Sequence, residues 1–457
     1  MNAKSLVSTA FQVSTVWMAL CACIALPSLN ANASDDGSFG FVTRQGDQLY
    51  ENGKVFRFIS FNAPTLHINE DPEWHRTTAY EQEDCIKTIK QMGGGVVRIY
   101  VLSVAGGDRQ GAAGPSHVCA PGIYNETLFQ DMDRMLALLN KYKVRVIIPF
   151  VDQWTYYGGK KQFAHLYGKT NFYDPVVVQG FKELIKYVVT RTNTLTGVPY
   201  REDPAILAWE TGNELSGEPG GWLHEVATYI KSVDTNHLVA DGNCSVREDN
   251  LAEPAVDLVT DHIYGVKDPA AFVARIKADR ARARGRKPFY LGEFDPRPVE
   301  KIVRPAFEEI IAGGSTGALV WSLRFHKETG GFYDHLNYDD LYFHYPYDQC
   351  TLLTKEYAYK IQGRAVPAIE ILDPPFLLPI PTASSPIGWQ GSAGANAYVI
   401  EKASSEKGPW TAISTMADQV PQLAFKDSAS TASSYYRVKA KNGTAESKYS
   451  NLRKVGL

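Results

Sequence analysis

The sequence has no run of five or more basic residues, and its 47 Lys and Arg stand against 50 Asp and Glu, for a net charge of −3. A phosphate backbone would find little to hold it, so nucleic acid is excluded as the expected partner. Past the first 33 residues nothing approaches 18 uninterrupted apolar residues, which argues against a membrane span in the mature chain. Neither C-x-x-C nor H-E-x-x-H occurs, so no metal site is expected. What the chain does have is aromatic residues, 12% of the total with 25 Tyr and 8 Trp. Flat rings stack on bases, on other rings and on sugar faces, and the balanced charge favours sugars.

Residues 1–33 read as a leader. Lys4 is the only charged residue before Asp35, an apolar stretch runs from Val16 to Leu26, and Ala31-Asn32-Ala33 has the small-x-small form of a cleavage site. A membrane anchor is the competing reading, but Pro27 and the polar residues after it end the apolar segment early. Export to the medium or the periplasm is the expectation, with a lipoprotein cut before Cys23 as the alternative. Cys21 and Cys23 would leave with the leader. Cys85, Cys119, Cys244 and Cys350 would remain, which permits up to two disulfides in an oxidising compartment without choosing a pairing.

Residues 34–373 alternate short β-branched or aromatic runs with helical stretches. A hairpin turn at Tyr50–Lys54 leads into a strand at Phe56–Phe61. Further strands are expected at Val96–Val101, Val144–Phe150, Ala205–Glu210, Leu238–Asp241, Leu258–His262, Pro288–Leu291 and Gly317–Ser322. Helices are expected at Glu81–Met92, Glu126–Tyr142, Pro175–Thr192, Gly221–Val233, Pro269–Arg284, Val303–Ala312 and Thr354–Gly363. Near-continuous apolar runs such as Val144–Ile148 suit parallel strands covered on both faces. Eight such units define an α/β fold, a (β/α)8 TIM barrel, with a doubly wound open sheet as the rival topology. Two connections are long, Ser103–Asn125 and Arg324–Leu353, and connections of that length are usually functional.

Composition shifts near Leu372. Five prolines between Pro374 and Pro386 read as a stiff linker over 374–386. Residues 387–457 then alternate with period two, as in Ala397–Glu401, Trp410–Ile413 and Tyr435–Ala440, and form a small all-β, immunoglobulin-like sandwich. Trp389, Tyr398 and Tyr436-Arg437-Val438 resemble a fibronectin type III module.

In a parallel barrel the strand C-termini converge on one face, and catalysis is built there. The second strand offers Arg98, and the third runs on to Asp152-Gln153-Trp154. The fourth continues through Glu210 to Asn213-Glu214, the sixth ends at His262 and Tyr264, the seventh at Glu293, and the eighth at Trp321. Two glutamates on opposite strands are what acid–base cleavage of a glycosidic bond requires. The i+2 spacing of His262 and Tyr264 puts both side chains on one strand face. Asp295 reads as a loop or capping residue. Trp154, Tyr156 and Tyr157 either line distal sugar subsites or pack a loop, and His326–Tyr347, rich in Phe, Tyr and His, is expected to wall one end of the cleft.

These residues resemble glycoside hydrolase family 5: Asn213-Glu214, Glu293, Arg98, His262, Tyr264 and Trp321 match its signature. Arg191–Val198 and Asp203–Glu210 are similar to its β-mannanase branch, and the resemblance spans roughly Phe41 to Ala368. A His that many members carry after the third strand is replaced here by Asp152-Gln153-Trp154, which disfavours a cellulase. The resemblance implies retaining hydrolysis of β-1,4-mannan or manno-oligosaccharides by a monomer without cofactor. Glu214 would be the acid/base and Glu293 the nucleophile; Arg98 and Tyr264 would orient Glu293, Asn213 would bind a sugar 2-hydroxyl, His262 would position the network, and Trp321 would floor the subsite. On this reading Glu214 should have a raised pKa and Glu293 should stay ionised. Endo cleavage is expected first and exo release of mannose second; β-1,4-glucan hydrolysis and non-catalytic sugar binding are the remaining alternatives.

Overall fold

A computed structural model describes residues 39–70, 73–108, 114–333, 344–371 and 373–456. Residues 1–33, read above as a leader and including Cys21 and Cys23, lie outside the described residues. Eight strands form one parallel sheet: β1 (Phe58–Asn62), β2 (Val96–Arg98), β3 (Arg145–Pro149), β4 (Ile206–Glu210), β5 (Leu238–Ala240), β6 (Val259–Ile263), β7 (Phe289–Phe294) and β8 (Gly317–Val320). Their order is β5-β4-β3-β2-β1-β8-β7-β6. Ala240 bridges in parallel to Leu258, and the Leu258 amide donates to the Val239 carbonyl at 3.1 Å, so the two outer strands meet. That closure decides for a barrel over an open sheet.

Period-two alternation divides the strand side chains between two cores. Phe58, Val96, Ile147, Leu207, Leu238, Tyr290 and Leu319 pack together inside the barrel. Ile59, Val97, Val146, Ile148, Trp209, Val259, Leu291 and Val320 belong to the larger cluster under the helices. Strands buried on both sides must therefore be apolar almost throughout, which is why they read as unbroken hydrophobic runs. A three-stranded antiparallel sheet (Val42–Gln45, Gln48–Glu51, Lys54–Phe56) brings Val42 and Leu49 onto the inner core, and Arg145 reaches Glu51 from β3.

The helices are α1 (Ala79–Gln91), α2 (Glu126–Tyr142), α3 (Lys160–Leu166), α4 (Pro175–Thr190), α5 (Trp222–Val233), α6 (Glu248–Ala252), α7 (Pro269–Ala283), α8 (Val299–Ala312) and α9 (Gln349–Ile361). Their starts follow local chemistry. Thr78 and Glu81 form a capping box at α1. Asp174 and Asp268 cap α4 and α7, each with Pro at the first position, where the missing N–H costs nothing. The short helices α3 and α6, and a hairpin of Val118–Ala120 with Ile123–Tyr124, were not expected from the sequence pattern. Helices α8 and α9 start four and five residues earlier than the expected Val303 and Thr354.

The Pro-rich segment read as a linker needs correction. Within it Phe376–Leu377 pairs antiparallel with Gln390 and Trp389, and Leu377 and Ile380 are core residues of the C-terminal region. This strand and Ile387–Gln390 and Ala424–Phe425 make one sheet. Ala397–Ala403, Thr411–Ala417, Tyr435–Asn442, Ala445–Tyr449 and Arg453–Lys454 make a second. Both contribute to one apolar cluster that includes Trp389, Tyr398, Ile400, Tyr436 and Val438. Trp389 is fully buried, whereas half-buried Trp410 lies under the Arg437 guanidinium at 4.4 Å.

The barrel and these sheets are joined directly. The Phe332 amide donates to the Val420 carbonyl and Gln419 Nε2 to the Pro346 carbonyl. Gly330 and Gly331 approach the Trp389 and Pro421 backbones so closely that a Cβ at either would lie within 2.6 Å of a carbonyl oxygen. None of Cys85, Cys119, Cys244 and Cys350 is disulfide-bonded, so the fold holds without the two bridges the sequence permitted. Among the described residues, no helix is long and apolar enough to cross a membrane.

Candidate active site

Arg98 is the last residue of β2, fully buried at the C-terminal mouth of the barrel. Its Nε donates to Glu210 Oε2 at 2.6 Å and its Nη2 to Glu210 Oε1 at 3.2 Å. Nη1 donates to Glu293 Oε1 at 2.6 Å, and Nη2 also donates to Asn213 Oδ1 at 2.8 Å. Burial disfavours the charge on this guanidinium, but the charges of Glu210 and Glu293 outweigh that effect. One planar fork thus ties together β2, β4 and β7.

The β6–β7 register sets His262 beside Glu293. That approach requires glycine at 292, because a Cβ there would lie 2.3 Å from Thr260 Oγ1 and 2.8 Å from the His262 ring nitrogen. Tyr264 OH donates to Glu293 Oε2 at 2.9 Å. His262 Nδ1 lies 3.0 Å from Glu214 Oε1 and 3.7 Å from Glu293 Oε2. Glu214 follows β4 on a turn that gives it φ +54°, a left-handed conformation that a side chain bearing a Cβ adopts only at a cost. The turn aims the carboxylate across the mouth. One oxygen of Glu214 and one of Glu293 lie within 4.8 Å of each other and of a His262 nitrogen.

Trp154 sits at this pair and not at a distal subsite: its Nε1 donates to Glu214 Oε2 at 2.7 Å while the residue stays 56% exposed. Trp321 is half-buried and packs edge-on against Tyr100, with ring centroids 5.8 Å apart, at the rim of the cluster that holds Tyr157. Tyr157 is core, and Tyr156 stacks on it. Asp295 is bound by Arg297, as expected of a loop residue. Of the aromatic segment His326–Tyr347, residues 334–343 lie outside the described residues. His326 itself points into the junction with the C-terminal sheets, not into the cleft.

The protonation order differs from expectation. Burial pushes the Glu214 carboxyl up. The hydrogen bonds from His262 and Trp154, with the charges of His262 and Arg98, outweigh that and hold it below the usual carboxylate range. Glu293 is displaced upward, because burial and the nearby Glu214 charge exceed what His262, Arg98 and Tyr264 return. The two carboxylates also lift His262 above its ordinary range against the effect of burial.

Sequence reasoning missed three contributors. Glu210 reads as a strand residue, yet it is the bidentate partner of Arg98. Tyr100 and Asp152 hold Asn213 from the other side, with Tyr100 OH donating to Asp152 Oδ2 at 2.9 Å and Asn213 Nδ2 to Asp152 Oδ1 at 3.0 Å. A charged residue inside an apolar strand (Glu210) and an acid just past a strand end (Asp152) were the available signals.

Paired carboxylates at this separation, at the mouth of a closed parallel barrel, define a glycoside hydrolase. Comparison with known proteins makes this specific. The family described as GH family 5 beta-mannosidase-like matches residues 39–172 and 165–266. Mannan endo-1,4-beta-mannosidase 1 of Solanum lycopersicum is 30% identical over 365 residues, which cover 67% of this chain and 87% of that protein. A hyperthermostable endo-1,4-beta-D-mannanase from Thermotoga petrophila is 26% identical with a TM-score of 0.57, covering 66% of this chain and 99% of that one. An endo-beta-1,4-mannanase structure from the same organism covers 88% of this chain and 99% of that one at 21% identity and a TM-score of 0.59, a likeness of fold that extends past the barrel. The chain belongs to glycoside hydrolase family 5, among its β-mannosidase-like members.

Proposed function

We propose that the protein is a retaining endo-1,4-β-mannanase in which Glu293 is the nucleophile and Glu214 the acid/base. The observation that carries this is the spacing of less than 4.8 Å between the two carboxylates. One oxygen of each carboxylate lies within 4.8 Å of the other, nearer the ~5–5.5 Å carboxyl separation of retaining enzymes than the ~6.5–9.5 Å that inverting enzymes keep for an intervening water. The names of the family relatives support mannan as the substrate. In the first step Glu293 attacks the anomeric carbon while Glu214 passes its proton to the leaving oxygen; in the second, Glu214 takes a proton from water, which attacks the anomeric carbon, breaks its bond to Glu293 and releases the carboxylate. Arg98 and Tyr264 each occupy one Glu293 oxygen without exhausting its lone pairs, so the carboxylate is aimed and still nucleophilic.

The lowered pKa of Glu214 suits its second state. His262 and Trp154 stabilise the carboxylate that exists once the proton has been delivered. A sugar in the cleft excludes water from the part-exposed Glu214 and raises its pKa toward that of an acid. Trp154→Phe, which removes one donor, should therefore shift the alkaline limb of kcat, which reports the sugar-bound enzyme, to higher pH, with a loss of roughly tenfold or less at the optimum. An alkaline limb that stays in place would contradict this role of Trp154.

The deciding experiment is hydrolysis of mannan and mannohexaose followed by viscosity, product profile and NMR of the anomeric proton. Rapid viscosity loss, mixed short oligomers and β-configured first products are expected. Mannose alone would favour exo action, β-1,4-glucan cleavage without mannan cleavage would point to a glucanase, and no turnover of either to sugar binding alone. The C-terminal sheets are read as an immunoglobulin-like, fibronectin type III-like sandwich, supported by two antiparallel sheets around one core. Export is inferred from residues 1–33 and is tested by sequencing the N-terminus of protein recovered outside the cytoplasm.

A further inference from the structure

Asp152 lies just past the end of β3, fully buried, and bridges in parallel to Asn213. Its two carboxyl oxygens accept separately, Oδ1 from Asn213 Nδ2 at 3.0 Å and Oδ2 from Tyr100 OH at 2.9 Å. The other end of the Asn213 amide, Oδ1, accepts from Arg98 Nη2 at 2.8 Å. The amide is thus held at both ends: Nδ2 donates to Asp152 at 3.0 Å and also reaches Tyr100 OH at 3.5 Å, the longer contact and the one a sugar hydroxyl would replace. We propose that Asp152 is a positioning residue whose ionised carboxylate fixes the Asn213 amide for the reaction, and whose protonation loosens it and sets the acid limb of the pH–rate profile. This rests on the retaining-glycosidase reading above.

An ionised carboxylate is acceptor-only, so both Asn213 Nδ2–H and Tyr100 O–H must turn toward it. A protonated one carries an O–H that needs an acceptor of its own. The Tyr100 oxygen is in place, and its hydroxyl proton must then turn away, while the bond from Asn213 loses its charge assistance. The titratable and charged neighbours are few. Tyr100 faces Asp152 from just past β2, Glu214 adds negative charge from the loop after β4, the Trp154 amide donates from Asp152's own loop after β3, and Arg98 acts through Asn213. Burial is the largest influence, and it lifts the carboxyl to about 7 against the lowering effect of Asn213 and Tyr100, so the group changes state in the range where activity is measured. A contact from Asn213 to the sugar 2-hydroxyl strengthens as charge develops at the anomeric centre, so loosening it should cost turnover more than binding.

The test is the pH dependence of kcat and KM on mannohexaose for the full chain, its Asp152→Asn variant and its Tyr100→Phe variant. Alongside these runs an infrared titration of carboxyl bands in the substrate-free proteins. The acid limb of the wild type is expected near pH 7. Asp152→Asn should lower kcat about tenfold with KM within about threefold, and move that limb down to the pH set by Glu293. Tyr100→Phe, which removes a donor to the carboxylate, should move the limb up. The infrared difference between wild type and Asp152→Asn should contain a carboxyl that titrates near neutrality. An acid limb that neither variant moves, or an Asp152 band that titrates in the usual carboxylate range, would overturn the proposal. A wild type inert on mannosides whose Asp152 band still titrates near pH 7 would instead sink the retaining reading on which the kinetic part stands.

Discussion

Glu293→Ala is expected to lower kcat on mannohexaose by ~10^4-fold or more while calorimetric binding stays within a few-fold of wild type. Without the carboxylate no glycosyl-enzyme bond forms, yet the fold should survive, because Arg98 keeps its bidentate pairing to Glu210 and its bond to Asn213. The space left beside Arg98 and Tyr264 suits a small anion. Azide placed there should attack the anomeric carbon from the face Glu293 uses, releasing a glycosyl azide of inverted configuration and restoring part of the rate. Glu214→Ala should behave differently. Its glycosyl-enzyme still forms on substrates with good leaving groups, and azide entering from the opposite face should give a retained product. Opposite stereochemistry in the two rescues assigns the roles independently of pH data. Inverted azide product from Glu214→Ala instead would exchange the two assignments.

The residue that organises this pair could not be a lysine. Arg98 spreads five N–H groups in a plane, four contacts of which go to Glu210, Glu293 and Asn213. Glu210 lies in β4 and Asn213 on the turn beyond it, so the fork also fixes where that turn begins and hence where Glu214 stands.

Much of this was legible in the sequence because the barrel imposes a simple code. Strands covered on both sides must be apolar, and a polar side chain at their ends is conspicuous against that background; Arg98, His262 and Glu293 stood out for this reason. Glu210 did not, since nothing local distinguishes an inward acid neutralised by a distant arginine from one that faces solvent. Asp152 was visible as an acid just past a strand end where a histidine was expected, but its tie to Asn213 is a cross-strand contact with no sequence spacing of its own. The Trp154 and His262 donors to Glu214 come from other strands and their loops and have no sequence spacing of their own, so the expectation for its pKa weighed burial without them. The segment 374–386 was read as a linker because proline density hid one short strand, Phe376–Leu377, whose partner lies beyond the turn.

A histidine expected near the cleft gives the second large effect. His326, just past β8, places Nδ1 3.0 Å from Asp84 on α1 and Nε2 2.8 Å from Asp418 in the C-terminal sheets. All three side chains are buried, and Tyr398 OH also donates to Asp418 at 2.7 Å. Burial alone would lower the His326 pKa, but the charges of Asp418 and Asp84 prevail and raise it to about 10. The folded value lies above the unfolded one of ~6.5, so the stabilisation is fully present below that pH and is lost as pH rises through about 10. Denaturant unfolding of the wild type should therefore show stability falling between those limits. His326→Gln removes the buried cation from between two carboxylates, and at pH 6 it should cost on the order of 3–5 kcal/mol. It should also flatten the decline in that window, since glutamine does not titrate. Because the bridge joins barrel to sheets, the variant should also release the C-terminal region first, splitting one unfolding transition into two. A variant with wild-type stability at pH 6, or with the same alkaline slope, would mean that His326 does not couple the two regions.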